Sequence, residues 1–244
     1  MRKRLISLCV LPFLALAACG GGDGDTSATD STSGSTATSI APPTSALRSA
    51  SGADLESAKK LVLLPADFPA GWTSEPAEQS DDADDEAASD EFEDCLGVGG
   101  DDSGAADWSG DDFSMDSSEA GSSASVVRDE ATYQDDIEVI RGPLLPTCLE
   151  DMFTRLLTDQ VGTAPTAVDV APLEVTEYGD VTVGFRVTIT VSARGETLTF
   201  YADLVLMGKD RAEVFANFFG VGQPFDPALQ ESLLAKLGSR LDAV

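Results

Sequence analysis

"VTVGFRVTITVSARG", Val181 to Gly195, runs directly into "ETLTFYADLVLMG", Glu196 to Gly208. In the first stretch the odd positions Val181, Val183, Phe185, Val187, Ile189 and Val191 are apolar, and the even ones are mostly Thr, Arg and Ser. In the second the apolar residues fall on even positions: Leu198, Phe200, Ala202, Leu204 and Leu206. Alternation of this period predicts two strands, each with one face for a core. A two-residue Arg194-Gly195 loop pairs odd on even. It sets Ile189 opposite Phe200 on the buried face and Arg186 opposite Asp203 on the outer face. A Gly195-Glu196 loop slides the register and loses that charge pair, so the first register is preferred. A third strand, Ala212 to Phe219, follows the turn at Gly208-Lys209-Asp210. The resulting three-strand meander has one clean apolar face that a helix must cover. The last helix can do so: Asp226 caps it, Pro227 takes the first position, and Leu229, Leu233, Leu237 and Leu241 form a stripe.

Further upstream the signals thin out. Pro146 opens a helix in which Leu149, Met152, Phe153, Leu156, Leu157 and Val161 repeat at helical spacing. Ser123 to Ala131 reads as a strand. Ser89 can cap a short helix with Phe92, Cys95 and Leu96 on one face, and Asp54 can cap another carrying Leu55, Ala58 and Val62. "LLPADFPAGWT" follows the latter as a turn-rich entry. The class is therefore α+β, an antiparallel sheet packed against flanking helices, in one domain running from 54 to 244.

Everything before that domain reads as an address. Arg2, Lys3 and Arg4 precede an apolar run, Leu5 to Ala18, that is short for a membrane span and shaped like a secretory signal. Leu16-Ala17-Ala18-Cys19 resembles the bacterial lipoprotein cleavage box. The resemblance implies cleavage after residue 18, acylation of Cys19 and an anchored chain on the extracytoplasmic face of the cell membrane. Residues 19–53, rich in Gly, Ser, Thr, Asp and Pro, are expected to form a disordered tether, since they hold too little apolar surface to offset ordering.

The formal net charge is −28, and loss of the three signal cations leaves −31. Such a charge opposes nucleic-acid binding, which needs Lys and Arg against phosphate. Between Glu75 and Glu119 lie 18 Asp and Glu with no Lys or Arg. Within this segment an acidic loop is expected at about 75–91, with Asp81, Asp82, Asp84, Asp85 and Glu86 its densest part. It has no calcium-loop spacing, so it reads as a solvated spacer and no metal site is assigned. The chain contains no histidine. That removes Ser-His-Asp and Cys-His catalysis and His-based zinc or haem sites, so no enzyme activity and no cofactor are expected.

Cys9 leaves with the signal and Cys19 carries the anchor, so Cys95 and Cys148 remain. In an exported chain a leftover pair is expected to bond. The alternative, a free reactive pair, needs a basic neighbour, and around Cys95 there are only acids. The loop closed from Cys95 to Cys148 is worth about 4 kcal/mol on the chain-entropy account. Candidate ligand contacts are Arg186, Tyr201 and Asp203 on the outer sheet face, if the middle helix packs elsewhere, and the tryptophans Trp72 and Trp108. The plainer alternatives are a solvated face with one ion pair, and tryptophans used for packing.

The order is lipoprotein signal, tether, helix, "LLPADFPAGW", cysteine, strand, helix with a second cysteine, three antiparallel strands, and "PFDPALQESLLAKLGSRL". It resembles actinobacterial envelope lipoproteins whose domain is similar to the extracellular sensor domain of a mycobacterial kinase-H type serine/threonine kinase. That resemblance implies an α+β, disulfide-bonded domain with a ligand cleft and no catalytic residues. It commonly brings two disulfides, whereas this chain can form one, and the acidic insertion here is unusual. The expectation is a membrane-anchored, non-enzymatic protein that binds a small molecule or lipid. The alternative is a structural or partner-binding envelope protein that uses its acidic segment.

Overall fold

A computed structural model of the chain describes residues 51–77, 91–98, 106–161, 165–193 and 196–244. Cys19, the tether up to residue 50 and the acidic run at 81–86 lie outside them. Helices are α1 (Gly52–Ala58), α2 (91–96), α3 (Glu130–Ile140), α4 (Leu145–Val161) and α5 (Pro227–Leu241). Strands are β1 (Thr73–Pro76), β2 (Ala106–Ser109), β3 (Asp111–Met115), β4 (Ser118–Val126), β5 (Ala167–Pro172), β6 (Val181–Ala193), β7 (Glu196–Lys209) and β8 (Ala212–Val221). The class is α+β. The eight strands form one sheet in the order β1-β3-β4-β8-β7-β6-β5, with β2 also on β4, and all these pairings are antiparallel.

The C-terminal strands are thus the middle of a large sheet and not a sheet of three. Their register is the one read from the alternation: Ile189 faces Phe200 and Arg186 faces Asp203. The covering is different from expectation. Leu204-Val205-Leu206-Met207 is apolar at every position, the pattern of a strand buried on both faces. Two cores result. On the first face Val205, Met207, Val214, Ala216 and Phe218 pack under α5, with Leu61 to Leu63 after α1 beside them. On the second face Phe185, Val187, Ile189, Ala202 and Leu204 pack under α4 through Leu149, Met152, Phe153 and Leu157. The middle helix therefore covers the clean apolar face, and the last helix covers the other.

Local sequence explains the helix ends. Ser51 caps α1 by a reciprocal box with Asp54, so the helix starts before 54 and stops at Ala58, short of Val62. Asp226 accepts a bond of 2.8 Å from the Leu229 amide, and Pro227 follows it. The strand expected at 123–131 begins earlier, at Ser118, and its last residues belong to α3. That helix hides only Tyr133 and Ile137, too little for a legible stripe. "LLPADFPAGW" acquires a structural role. Asp67 is buried, accepts two bonds of 2.7 Å from Arg240 of α5, and accepts one from the Leu64 amide at 2.8 Å. Arg240 also donates to the Val62 carbonyl at 2.8 Å, and Lys236 donates to the Asp67 carbonyl. The last helix is thereby latched to the start of the domain.

Cys95 and Cys148 are bonded, with their Cα atoms 5.8 Å apart. The bond ties α2 to the start of α4. Phe92 and Leu96 pack into the same core, and Glu91 pairs with Arg155.

Candidate functional site

Arg186 and Asp203 lie side by side on the first face, beyond the part covered by α5. The guanidinium grips the carboxylate at both ends, Nε to Oδ1 at 2.6 Å and Nη2 to Oδ2 at 2.7 Å. This pairing raises the Arg186 pKa above its ordinary value. Asp203 is 1% exposed. The patch is thus neither open nor merely solvated. It is a fork-to-fork pair with its acceptor capacity already engaged, which favours register over ligand capture. Tyr201 occupies the next position along that face, opposite Thr188 and half-buried.

The two tryptophans go to different places. Trp72 packs against Phe68 and Phe225, with ring centres 5.0 and 5.5 Å away, and Phe225 packs on Phe218, the cross-strand neighbour of Asp203. Its indole nitrogen is buried with no hydrogen-bond partner among the described residues. Trp108 sits on β2, 41% exposed, under the Lys59 ammonium at 4.9 Å from its ring centre. Four strand spacings separate β2 from β6, about 19 Å. Trp108 and Arg186 therefore do not share a site.

The second face carries a cleft that the candidate residues do not include, apart from Tyr201 at its edge. The cleft has a cavity volume of about 30 Å³, opens to solvent, and is almost wholly apolar. Ile189, Phe200, Ala202 and Phe219 make its floor, and Leu157 of α4 makes one wall. The opposite wall is Glu119 of β4, next to Ser117 in the β3–β4 turn. The space exists because α4 covers β6 and β7 but stops short of β4. The β4 residues facing this side, Glu119, Gly121, Ser123 and Ser125, are otherwise small. The sheet is therefore bare where a bulky apolar residue would have filled the gap.

Glu119 is the unusual group. Burial beside the apolar floor, helped by the negative charge of Asp112 on β3, pushes its pKa up to about 7. No hydrogen bond or ion pair to a described residue holds its carboxyl. A half-buried, unpaired carboxyl in an apolar cleft is costly to folding and is a signature of sites that meet a ligand. Sequence reasoning missed it because it is the last of 18 acids in one segment and the strand was started too late. The usable signal was the alternation from Ser118 onward, with Ala120, Ser122, Ala124 and Val126 on one face and Glu119 alone among small residues on the other.

No group of three or more Cys, Asp or Glu among the described residues is placed to hold a metal ion. No described helix is long and apolar enough to cross a membrane. No protein-family model matches the chain, and no curated protein does. Among solved structures, LpqN, described as involved in cell envelope biogenesis of Mycobacterium tuberculosis, is similar at 11% identity, over 75% of this chain and 80% of its own, with a TM-score of 0.29. A likeness of that strength fixes neither a fold family nor a role.

Proposed function

We propose that this protein is a non-enzymatic binding protein of the cell envelope, lipid-anchored through Cys19 on the extracytoplasmic side. Its domain is sensor-like, in the manner of the kinase-H type extracellular domain, and holds a small apolar or lipid-like molecule. The observation that carries this reading is the apolar cleft between α4 and the β4–β8–β7 strands, with the unpaired Glu119 carboxyl in its wall. A concave, mostly apolar site with one placed polar group has the lining of a small-molecule pocket, and at about 30 Å³ it must widen to admit one. The secretory and lipid-attachment pattern at residues 2–19 and the Cys95–Cys148 bond support an oxidising, extracytoplasmic setting.

Native mass spectrometry of the full chain, exported and kept oxidised, tests the reading together with titration of a neutral, fluorescent naphthylamine. The expected result is a discrete retained adduct or saturable probe binding, weakened by Phe219→Asn at the half-buried cleft floor. A bare mass together with non-saturable probe uptake refutes it.

A further inference from the structure

A change of charge near neutral pH is ordinarily the work of histidine, and this chain contains none. Glu119 stands in that position instead. It forms one wall of the apolar cleft, facing Leu157 of α4 across the floor of Ile189, Phe200, Ala202 and Phe219. Burial there, and secondarily the charge of Asp112, put its titration at about 7. The packed elements present little that would hold the charged form. β8 presents Phe219, α4 presents Leu157, and β7 presents the Tyr201 phenol. Ser114 of β3 lies across from Glu119, and its hydroxyl is bonded to that of Thr73 at 2.9 Å. Asp112 of β3, and Glu75 of β1 across from it, are acids outside the lining. No Lys or Arg is among the lining residues. Water entering from the open side is therefore what solvates the ionised carboxyl.

Resting on the binding function proposed above, we infer that the cleft is gated by one proton: it takes its apolar ligand while Glu119 is protonated and releases it as Glu119 ionises. The cavity of about 30 Å³ has room for about two water molecules. A ligand must widen it and take the place of that water. With Glu119 neutral, the loss is the hydration of a carboxylic acid. With Glu119 ionised, the ligand strips a full charge of its water, and no cation in the lining replaces it. Occupation therefore favours the protonated form further, and the carboxyl titrates higher in the complex than in the free cleft. By linkage the affinity is flat below about pH 7 and declines by up to about tenfold per unit above it. Ordinary Asp and Glu side chains change charge near about 4, and Lys above about 10. In a chain without histidine the net charge of −28 thus stays nearly constant across this interval, and the response belongs to the cleft.

The neutral naphthylamine probe, whose own charge is constant between about pH 6 and about pH 8, is titrated into the full oxidised chain at both values. Binding is expected to be about tenfold weaker at the higher pH, the factor for one group titrating at about 7. Calorimetry at about pH 8 in two buffers of different ionisation enthalpy is expected to show close to one proton taken up per probe bound. Glu119→Gln, which keeps the uncharged shape at every pH, is expected to abolish both the difference in affinity and the proton uptake. Saturable binding of equal affinity at the two pH values overturns the gate and leaves the binding function standing. A pH difference that survives in Glu119→Gln belongs to another group and also overturns the gate. If the natural chain shows no saturable binding at either pH, the binding function falls and the gate with it.

Discussion

Replacing Glu119 by Gln is expected to make this protein more stable at neutral pH, the opposite of what most substitutions in a strand do. In the native fold the carboxyl holds its proton up to about 7, whereas in the unfolded chain it lets go near 4.5. Between those values the native state binds more protons than the unfolded state, so stability falls as pH rises through the interval. Below about pH 4.5 both states are protonated and the group costs nothing; above about 7 the penalty is complete. That displacement sets a ceiling of about 3 kcal/mol. The cleft is open, and solvent at its mouth screens the charge, so about 1–2 kcal/mol is the expected size. The assay is urea unfolding of the natural chain and of Glu119→Gln, followed by tryptophan fluorescence at about pH 4 and about pH 8. The difference between the two proteins is the informative quantity, because general repulsion among the acids lowers the stability of both as pH rises. The variant should be about 1–2 kcal/mol more stable at the higher pH and indistinguishable at the lower. A variant equally stable or less stable at about pH 8 would show that Glu119 is not desolvated as described. Asp112→Asn should shrink the gain, because the charge on Asp112 contributes to the displacement.

Other expectations rest on packing and cross-links. Arg240→Met strips the buried Asp67 of its bidentate partner and should cost about 3 kcal/mol; a loss below about 1 kcal/mol in urea unfolding would refute the latch. Gly238→Ala should cost about 1–3 kcal/mol by overpacking, since the added methyl would lie 2.3 Å from the Tyr178 ring, which is also held by its hydroxyl on Glu231 at 3.0 Å; an unchanged melting temperature contradicts that contact. Cys95→Ser with Cys148→Ser should lower stability by up to about 4 kcal/mol and expose amides of α2 to hydrogen exchange ahead of those in β6 and β7. Cys19→Ala should move the chain from the membrane fraction to the soluble extracytoplasmic fraction, whereas retention in the membrane would remove the lipid anchor from the account.

What was legible in the sequence was what the chain repeats. Strands β6 and β7 are long, alternate cleanly and carry a charge pair, so their register could be derived before any coordinates. Helices α4 and α5 declare themselves by stripe, cap and proline. The short strands β1 to β3 do not, because their acidic, four- or five-residue stretches have no periodicity of their own and become strands only by pairing with β4 and one another. The choice of covering helix was open for a similar reason. Both α4 and α5 are amphipathic, and only the unbroken apolar run at 204–207 says that both faces of the sheet need a layer. The candidate contacts fared unevenly. Arg186 and Asp203 were read as a pair and are one, with the carboxylate buried and the guanidinium partly exposed. Trp72 joins the aromatic core of the first face, and Trp108 stands apart from it. Glu119 could not be singled out, since its distinction lies in its surroundings and not in its type.

The latch between Asp67 and Arg240 joins residues 173 positions apart, and the Arg240 bond to the Val62 carbonyl spans 178. The layer over the first face is therefore assembled from the two extremes of the domain. No N-terminal portion of the domain can bury Leu61, Val62 and Leu63 against α5 until the final helix has been synthesised. Such non-local closure slows folding and makes it all-or-none. A stop codon or protease cut that removed only the last turn of α5 would leave most of the sheet intact in sequence, yet it would unfasten the opening segment at the other end of the chain.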